Sequence, residues 1–180
     1  NTGRRQRQMC IRDRFNGEDK PYELNISWWS AMEDASRDVK RYQQERFLLS
    51  QLLVMSLKGV PAFYLPALLG SENDIKRFSM TGERRDLNRE KFHLEKLLIQ
   101  LDNKDSIANK NIKVLSKAMK IRSKFKSFHP SAKMKCLTKG RRDIVAIKRG
   151  FGNSSIFAIH NITDNKLNFS IDESLDFPLG

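Results

Sequence analysis

The sequence predicts an α/β region followed by a small antiparallel β-sheet. Before Pro130 the apolar residues recur at helical spacing or form one short continuous run, and after Pro130 they alternate with a period of about two. The 180 residues, of which 39% are hydrophobic, suffice for one domain, or for one domain and a piece of another. No apolar run of about 18 residues is present, so no membrane-spanning helix is expected.

The first half of the chain predicts one α/β unit. Residues 1–14 carry five arginines and no apolar face, so we expect them to be disordered. Residues 39–57 have apolar side chains at three- and four-residue spacings, which predicts a helix that ends at Gly59. The continuous apolar residues 60–65 predict a strand buried on both faces, and the polar residues 68–91 predict a long loop after it.

The second half of the chain predicts two helices and then four strands. Residues 92–101 and 107–125 carry apolar stripes at helical spacing. After Pro130, turn residues separate four segments of strand periodicity, which are residues 133–137, 143–148, 155–161 and 166–171. Four strands make a thin sheet with unprotected edges, so we expect this sheet to be incomplete.

The formal net charge of +13, taken alone, favours a nucleic-acid-binding protein. However, five of the arginines lie within residues 1–14, and the other basic residues are spread between apolar positions. The sequence has no zinc-finger spacing, no RNP-like aromatic motif and no basic helix leading into heptads. Nucleic-acid binding is therefore kept as a distant alternative, and we expect no nucleic-acid partner.

The predicted loop at residues 68–91 is the best candidate for a site. Its charged and amide groups could converge on a polyhydroxylated or anionic ligand, and they are Asp74, Arg84, Arg85, Asp86, Asn88 and Arg89. The planar guanidinium of arginine suits paired oxygens, but the same residues could form a salt-bridged surface loop. The histidines, His93, His129 and His160, have no partner at metal-ligand spacing, so we expect no metal and no cofactor.

Four segments of the chain carry a resemblance to a known family: PYELNISWWSAM, RFLLSQLLVMSLKGVPAFYLPALLGSEND, TGERRDLNREK and IRSKFKSFHPSA. In this order they resemble the sucrose phosphorylase subfamily of the α-amylase superfamily, glycoside hydrolase family 13. The most specific part is G-V-P-x-x-Y, then L-L-G-S-x-N-D, then G-x-x-R-x-[IL]-N-R. The PYELN, NREK and FHP segments are most similar to the branches that act on glucosylglycerate or sucrose 6-phosphate.

The resemblance implies a fold and a division into domains. Residues 15–130 would form the C-terminal end of a (β/α)8 catalytic barrel, with residues 39–57 as its seventh helix and residues 60–65 as its eighth strand. Residues 131–180 would form a truncated C-terminal β-domain with an antiparallel sheet. Residues 1–14 do not fit the family, so we expect them to be foreign to it.

The activity implied by the resemblance is retaining transfer of a glucosyl group from an α-glucoside to inorganic phosphate, which gives α-glucose 1-phosphate. The α-glucoside would be glucosylglycerate, sucrose 6-phosphate or sucrose. The carboxylate nucleophile and the general acid belong to family segments before the matched ones, so we expect this chain alone to be inactive. A hydrolase or transglycosylase of the same superfamily is the alternative.

The two cysteines, Cys10 and Cys136, fit a cytoplasmic protein. We also expect no membrane partner.

The resemblance also implies which residues bind substrate, namely Arg85, Tyr22, Glu23, Asn88 and Arg89. Arg85 would bind the glucosyl group, and Asn88 and Arg89 would hold the Arg85 side chain in place. Tyr22 would lie near the phosphate and the acceptor. Glu23 stands where sucrose-specific enzymes tend to carry Gln, and the cationic Lys20 would suit an anionic acceptor such as glycerate or a sugar phosphate.

Overall fold

The computed structural model of the chain describes residues 10–15, 18–33, 41–138 and 140–170. Its internal contacts divide the chain into two units. Unit 1 comprises Asn1–Phe47 and Phe63–Lys113, and unit 2 comprises Leu48–Ala62 and Val114–Gly180. The described part of the chain consists of helices, a two-stranded sheet and a small antiparallel three-stranded sheet. This agrees with the coarse expectation of helical segments followed by strands.

The elements up to residue 102 are β1 (Cys10–Phe15), β2 (Glu18–Leu24), α1 (Trp28–Ala31), α2 (Gln43–Ser56), α3 (Leu65–Leu69), α4 (Ile75–Thr81), a 3₁₀ helix (Arg84–Asn88) and α5 (Leu94–Asp102). The later elements are α6 (Ile107–Lys124), a 3₁₀ helix (Lys126–Phe128), β3 (Met134–Cys136), β4 (Ile144–Arg149), a 3₁₀ helix (Gly152–Ser154) and β5 (Ile156–Asn161). The three long helices predicted from apolar periodicity are therefore confirmed as α2, α5 and α6, with ends that differ by a few residues.

The amino-terminal segment differs from its prediction. Strand β1 pairs antiparallel with β2, from Cys10 opposite Leu24 to Phe15 opposite Glu18. The expectation of disorder over residues 1–14 is therefore wrong for residues 10–14, whereas residues 1–9 lie outside the described part. The pairing satisfies the backbone of β1 without an apolar face, so side-chain periodicity could not reveal it. A bulge leaves Tyr22 without an opposite residue on β1.

The core of unit 1 is built around Trp29 and Phe47. Both side chains are buried, and their ring centroids lie 5.4 Å apart with a tilt of 56° between the planes. Such a tilted pair is a favourable aromatic geometry. Gln43 Nε2 donates to the carbonyl of Trp29 at 3.0 Å, and Arg46 Nε donates to the carbonyl of Met32 at 2.7 Å. The first turn of α2 therefore holds α1 through apolar and polar contacts.

The predicted strand at residues 60–65 does not form. No described segment pairs with these residues, and a strand needs a neighbour to satisfy its backbone. Val60 is 79% exposed, and Tyr64 keeps an extended backbone with φ −93° and ψ 128°. The chain instead enters α3 at Leu65, because Pro66 fits the first helical turn.

The predicted loop at residues 68–91 contains ordered helical elements. Asp74 caps α4 by accepting from the backbone N–H of Arg77 at 2.9 Å, and Gly82 ends that helix with φ +70°. The 3₁₀ helix follows at once and buries Leu87. Short helices with few apolar positions give no apolar stripe, which explains why the segment resembles a loop in sequence.

The sheet of unit 2 has the strand order β3–β4–β5, and all pairs are antiparallel. The central strand β4 buries Ile144, Ala146, Ile147 and Arg149. Three of the four predicted strands are confirmed. The fourth, at residues 166–171, does not form in residues 166–170, and residue 171 lies outside the described part. Asn161 Nδ2 donates to the carbonyl of Asn165 instead, so the chain turns after β5.

The Arg149 side chain is the largest fully buried side chain of the described residues. Its guanidinium donates to the carbonyls of Ser56 at 3.1 Å, of Leu57, and of His129 at 3.0 Å. The last carbonyls of a helix have no partner inside the helix, so these bonds satisfy the end of α2. Burial lowers the pKa of Arg149, and the nearby charge of Arg122 lowers it further.

Arg122 is a second guanidinium at the same helix end. It donates to the carbonyl of Met55 and to that of Gly59 at 2.6 Å. Both cations lie over the Phe128 ring, whose centroid is 5.4 Å from Arg122 Cζ and 5.7 Å from Arg149 Cζ. Carbonyl dipoles and an aromatic ring thus stabilise two neighbouring positive charges.

His160 is another buried basic group of unit 2. Ser56 Oγ donates to the carbonyl of Leu52 at 2.9 Å, so it accepts from His160 Nε2, which is also 2.9 Å away. Burial lowers the pKa of His160 below 6.5. The imidazole is therefore neutral at pH 7, beside a helix end that already holds two guanidinium groups. The histidine ties β5 to α2, as expected of a structural residue.

We expect a side chain at position 70 to clash with its neighbours in unit 1 and to lower the stability of the protein. Gly70 has φ +72°, and an added Cβ would lie 2.6 Å from Ile107 Cγ2 and 2.7 Å from Asn111 Nδ2. We expect Gly70→Ala to lower the free energy of unfolding by about 3 kcal/mol, from left-handed strain plus overpacking. Gly82 has φ +70° and no atom within 4 Å of the added Cβ, so Gly82→Ala should cost only about 1 kcal/mol. Urea unfolding of both variants measures the difference, and equal losses would contradict the steric argument.

Removing the Arg149 guanidinium should destabilise unit 2. Arg149→Met keeps an apolar stem but removes the guanidinium hydrogen bonds to three carbonyls. The carbonyls of His129 and Leu57 keep other donors, whereas that of Ser56 loses its described one, so we expect a loss of about 3 kcal/mol in urea unfolding. The control is Arg141→Met, which breaks an ion pair with Asp143 and a contact with the Phe169 ring, both near the surface, and should change the unfolding midpoint little. Similar urea-unfolding midpoints for the two variants would mean that the hydrogen bonds from Arg149 to the carbonyls contribute nothing to stability.

The buried imidazole should make unit 2 sensitive to mild acid. The folded pKa of His160 lies below its unfolded value of 6.5, so the unfolded chain binds the proton more tightly. Stability should be independent of this group above pH 6.5 and should fall as the pH decreases below it. His160→Gln should remove this slope between about pH 7 and about pH 5 in urea unfolding, whereas His129→Gln, at an exposed ring, should keep it. A slope that survives in His160→Gln would refute the assignment.

Candidate functional site

Unit 1 contains a cavity of about 300 Å³. It is mostly apolar, and its lining residues are Ile26, Ser27, Trp28, Ala31, Met32, Tyr64, Pro66, Ala67 and Asn88. The lining comes from α1, from the extended segment before α3, from α3 itself and from the end of the Arg84–Asn88 helix. A concave, largely apolar cavity with a few polar groups is the usual form of a small-molecule site.

A network of short polar bonds positions the α1 side of the cavity. The backbone N–H of Ser27 donates to Asn73 Oδ1 at 2.7 Å, and the backbone N–H of Asn73 donates to Ser30 Oγ at 3.1 Å. Ser27 Oγ also caps α1 by accepting from the N–H of Ser30 at 3.1 Å. These side chains exchange hydrogen bonds with backbone groups 43 to 46 residues away. They therefore fix Trp28, on the first turn of α1, relative to the segment that leads into α4.

The 3₁₀ helix that carries Asn88 is fixed by two contacts with α4 and its cap. The backbone N–H of Asp74 donates to the carbonyl of Leu87 at 2.8 Å. Arg77 Nε lies 2.9 Å from Asp86 Oδ1 in an ion pair. The hydrogen bond from Arg77 lowers the pKa of Asp86, with a further contribution from Thr81. Asp86 therefore stays ionised at neutral pH and serves as an anchor, not as a proton donor.

The predicted site residues fall into three groups. The Asn88 side chain is half-buried and lines the cavity. Arg85 and Arg89 lie on the same short segment, are exposed and are not part of the cavity lining. Tyr22 and Glu23 lie on β2 by their backbone, and their side chains are outside the described part of the structure.

The wider set of polar loop residues does not act as one cluster. Asp74 caps a helix and Asp86 is paired with Arg77, so both acids have structural partners. Arg84 and Arg85 are exposed, and each takes part in further interactions. The two acids therefore belong to a salt-bridged, capped surface. Asn88 is the residue of this set that lines the cavity.

Sequence reasoning missed Trp28 and Tyr64 as lining residues. Their rings are 43% and 53% exposed, whereas Trp29 is buried. The tryptophan pair was a visible signal, but the sequence does not indicate which ring packs and which remains accessible. Tyr64 lies in the segment predicted as a buried strand, and this prediction excluded it from the candidates.

Two absences hold for the described residues. Among them, no group of three or more His, Cys, Asp or Glu side chains could hold a metal ion. No helix formed by those residues combines the length and the apolar character needed to cross a membrane.

The chain matches no known protein-family model. It does resemble curated proteins. The glucosylglycerate phosphorylase of Allomeiothermus silvanus is 32% identical over 145 residues, which cover 80% of this chain and 26% of that protein. The glucosylglycerate phosphorylase of Escherichia coli K12 is 31% identical over 116 residues, which cover 64% and 20%. That of Spirochaeta thermophila is 34% identical over 110 residues, which cover 61% and 19%.

The chain spans about a quarter, or less, of the length of the curated relatives it matches. Matches to three proteins of the same name, each over more than half of this chain, confirm the resemblance read from the sequence motifs. The chain is therefore homologous to a segment of the glucosylglycerate phosphorylases.

Proposed function

We propose that this chain is part of a retaining α-glucoside phosphorylase that transfers a glucosyl group to inorganic phosphate and yields α-glucose 1-phosphate. The observation that carries the proposal is the similarity to glucosylglycerate phosphorylases over up to 80% of the chain. Among α-glucosides we favour glucosylglycerate over sucrose 6-phosphate and sucrose. Lys20 supports an anionic acceptor, and Glu23 replaces the Gln that is typical of sucrose-specific enzymes.

The proposed place of the chain in the whole enzyme is the C-terminal end of a (β/α)8 barrel, at residues 15–130, followed by a C-terminal β-domain at residues 131–180. The order of helices α2 to α6 before the sheet of β3, β4 and β5 supports this division. The segment before α3, which has no described strand to pair with, would pair with strands from the rest of the enzyme. The extended backbone of Tyr64 and the high exposure of Val60 are compatible with such pairing.

The proposed role of Arg85 is to hold the glucosyl group during transfer. An exposed guanidinium on a short, anchored helix can donate paired hydrogen bonds to two sugar oxygens. A carboxylate and a carboxylic acid from elsewhere in the enzyme would form the glucosyl-enzyme and protonate the leaving oxygen. A phosphate oxygen would then attack the anomeric carbon and release the carboxylate. On this proposal the 180-residue chain alone catalyses no phosphorolysis.

Further parts of the proposal concern the surroundings of the enzyme. Carbohydrate and inorganic phosphate are the proposed partners, and the chemistry requires no cofactor because both steps are substitutions at one carbon. The two cysteines fit a cytoplasmic enzyme. Tyr22, Asn88 and Arg89 are proposed to complete the substrate site around Arg85 and Glu23.

A chimera tests the proposed function. The matched residues of this chain replace the homologous segment of the Allomeiothermus silvanus phosphorylase, and glucose 1-phosphate is measured with phosphate and glucosylglycerate. We expect phosphate-dependent product. Arg85→Ala in the chimera should lower kcat/KM by about 100-fold or more, because charge-assisted hydrogen bonds to the sugar are lost.

Arg84→Ala is the matched control, because Arg84 is an exposed arginine of the same 3₁₀ helix. It should change kcat/KM by less than about threefold. Equal losses in the two variants would remove Arg85 from the site. Release of free glucose at a rate that phosphate does not raise would favour the hydrolase alternative over the phosphorylase.

A further inference from the structure

Two polar side chains of the unit 1 cavity, those of Asn88 and Tyr64, make no hydrogen bond within the described part of the chain. Asn88 lines the cavity with a half-buried amide, and no described residue donates to it or accepts from it. The hydroxyl of Tyr64 has no hydrogen-bond partner among the described residues either. An amide and a hydroxyl together supply both donors and acceptors. An occupant with several hydroxyl groups could satisfy both, whereas a purely apolar occupant would leave them unpaired.

The apolar part of the same cavity includes two large accessible rings. Trp28 is 43% exposed although its helix is anchored through Ser27 and Ser30, and Tyr64 is 53% exposed. Aromatic rings offer flat apolar faces at low cost in conformational entropy. A pyranose ring has the matching surface, because its axial C–H groups form an apolar face while its hydroxyls point outward from the edge.

We propose that this cavity binds a hexopyranosyl ring, with the apolar sugar face on Trp28 and Tyr64 and with sugar hydroxyls bonded to the Asn88 amide and the Tyr64 hydroxyl. The inference rests on the proposed function for the choice of a glucoside as occupant. It adds Trp28 and Tyr64 to the substrate-binding residues and gives Asn88 a direct contact with sugar. The cavity volume of about 300 Å³ lies at the lower end of the range for small-molecule sites.

The test measures binding of methyl α-D-glucopyranoside to the 180-residue chain by saturation-transfer NMR and calorimetry. Cyclohexanol is the comparison probe, because it has an apolar ring but a single hydroxyl. We expect the glucoside to bind at least about fivefold more tightly than cyclohexanol, since two polar groups of the cavity gain partners. Equal or weaker binding of the glucoside, or no binding, would overturn the proposal and leave a generic apolar groove.

Three variants locate the site. Trp28→Ala and Asn88→Ala should each weaken glucoside binding by about tenfold. Tyr64→Phe removes only a hydroxyl and should weaken binding by about threefold to tenfold without a change in folding. Phe151→Ala is the matched control, because this aromatic ring is 77% exposed and belongs to unit 2. The same affinity in Tyr64→Phe, Asn88→Ala and Phe151→Ala would place the sugar elsewhere.

The binding and activity assays distinguish a failure of the sugar-site inference from a failure of the proposed function. If the chimera makes glucose 1-phosphate but the Tyr64→Phe and Asn88→Ala chimeras keep an unchanged KM for the glucoside, the cavity is not the sugar site and the phosphorylase proposal stands. If the chain binds the glucoside through Trp28 and Asn88 but the chimera needs no phosphate, the cavity assignment stands and the phosphorylase proposal fails.

Discussion

Unit 2 depends on hydrogen bonds from two arginines to the carbonyl end of helix α2. Arg149 and Arg122 donate to the carbonyls of Met55, Ser56, Leu57 and Gly59, and Arg149 also reaches His129. One buried guanidinium thereby joins a helix end, the turn after Phe128 and the central strand of the sheet. Unpaired buried carbonyls are costly, so the position of each element constrains that of the others. The positive charge is balanced by helix-end carbonyls, whose dipoles favour cations.

Unit 1 uses a different means to position its elements. Its short helices have few apolar residues to bury, and side-chain to backbone hydrogen bonds replace apolar packing at the cavity. Ser27, Ser30 and Asn73 fix α1, while Asp74 and the Arg77–Asp86 pair fix the helix that carries Asn88. Short polar side chains can position helices in this way, because they form hydrogen bonds with nearby backbone groups in a defined direction.

The candidate site combines these anchors with accessible aromatic rings. Binding groups held by rigid neighbours lose little entropy when a ligand arrives, which makes a fixed Asn88 and fixed rings useful for recognition. Arg85 and Arg89 project from the same anchored helix and are exposed outside the cavity. The homology to glucosylglycerate phosphorylases provides the chemical context in which an amide, aromatic rings and arginines would all serve one substrate. The acids Asp74 and Asp86 have structural tasks, so the catalytic carboxylates must come from other segments under this proposal.

The long helices, three of the strands and the family resemblance could be predicted from the residues alone. Apolar periodicity reports burial of one face of a long element, and α2, α5, α6 and the sheet of unit 2 have such faces. Motif order identified the relatives because spacing is kept within a family even at about a third identity. It also pointed to Asn88, although its part in substrate binding remains a proposal.

Other features depend on contacts between distant residues, which the periodicity of the sequence does not reveal. The strand expected at residues 60–65 has no described neighbour to pair with, and a strand exists only through such a partner. Strand β1 formed without an apolar face because β2 satisfies its backbone. The distinction between buried Trp29 and accessible Trp28 arose from packing against Phe47, a contact between residues 18 positions apart that the sequence does not record.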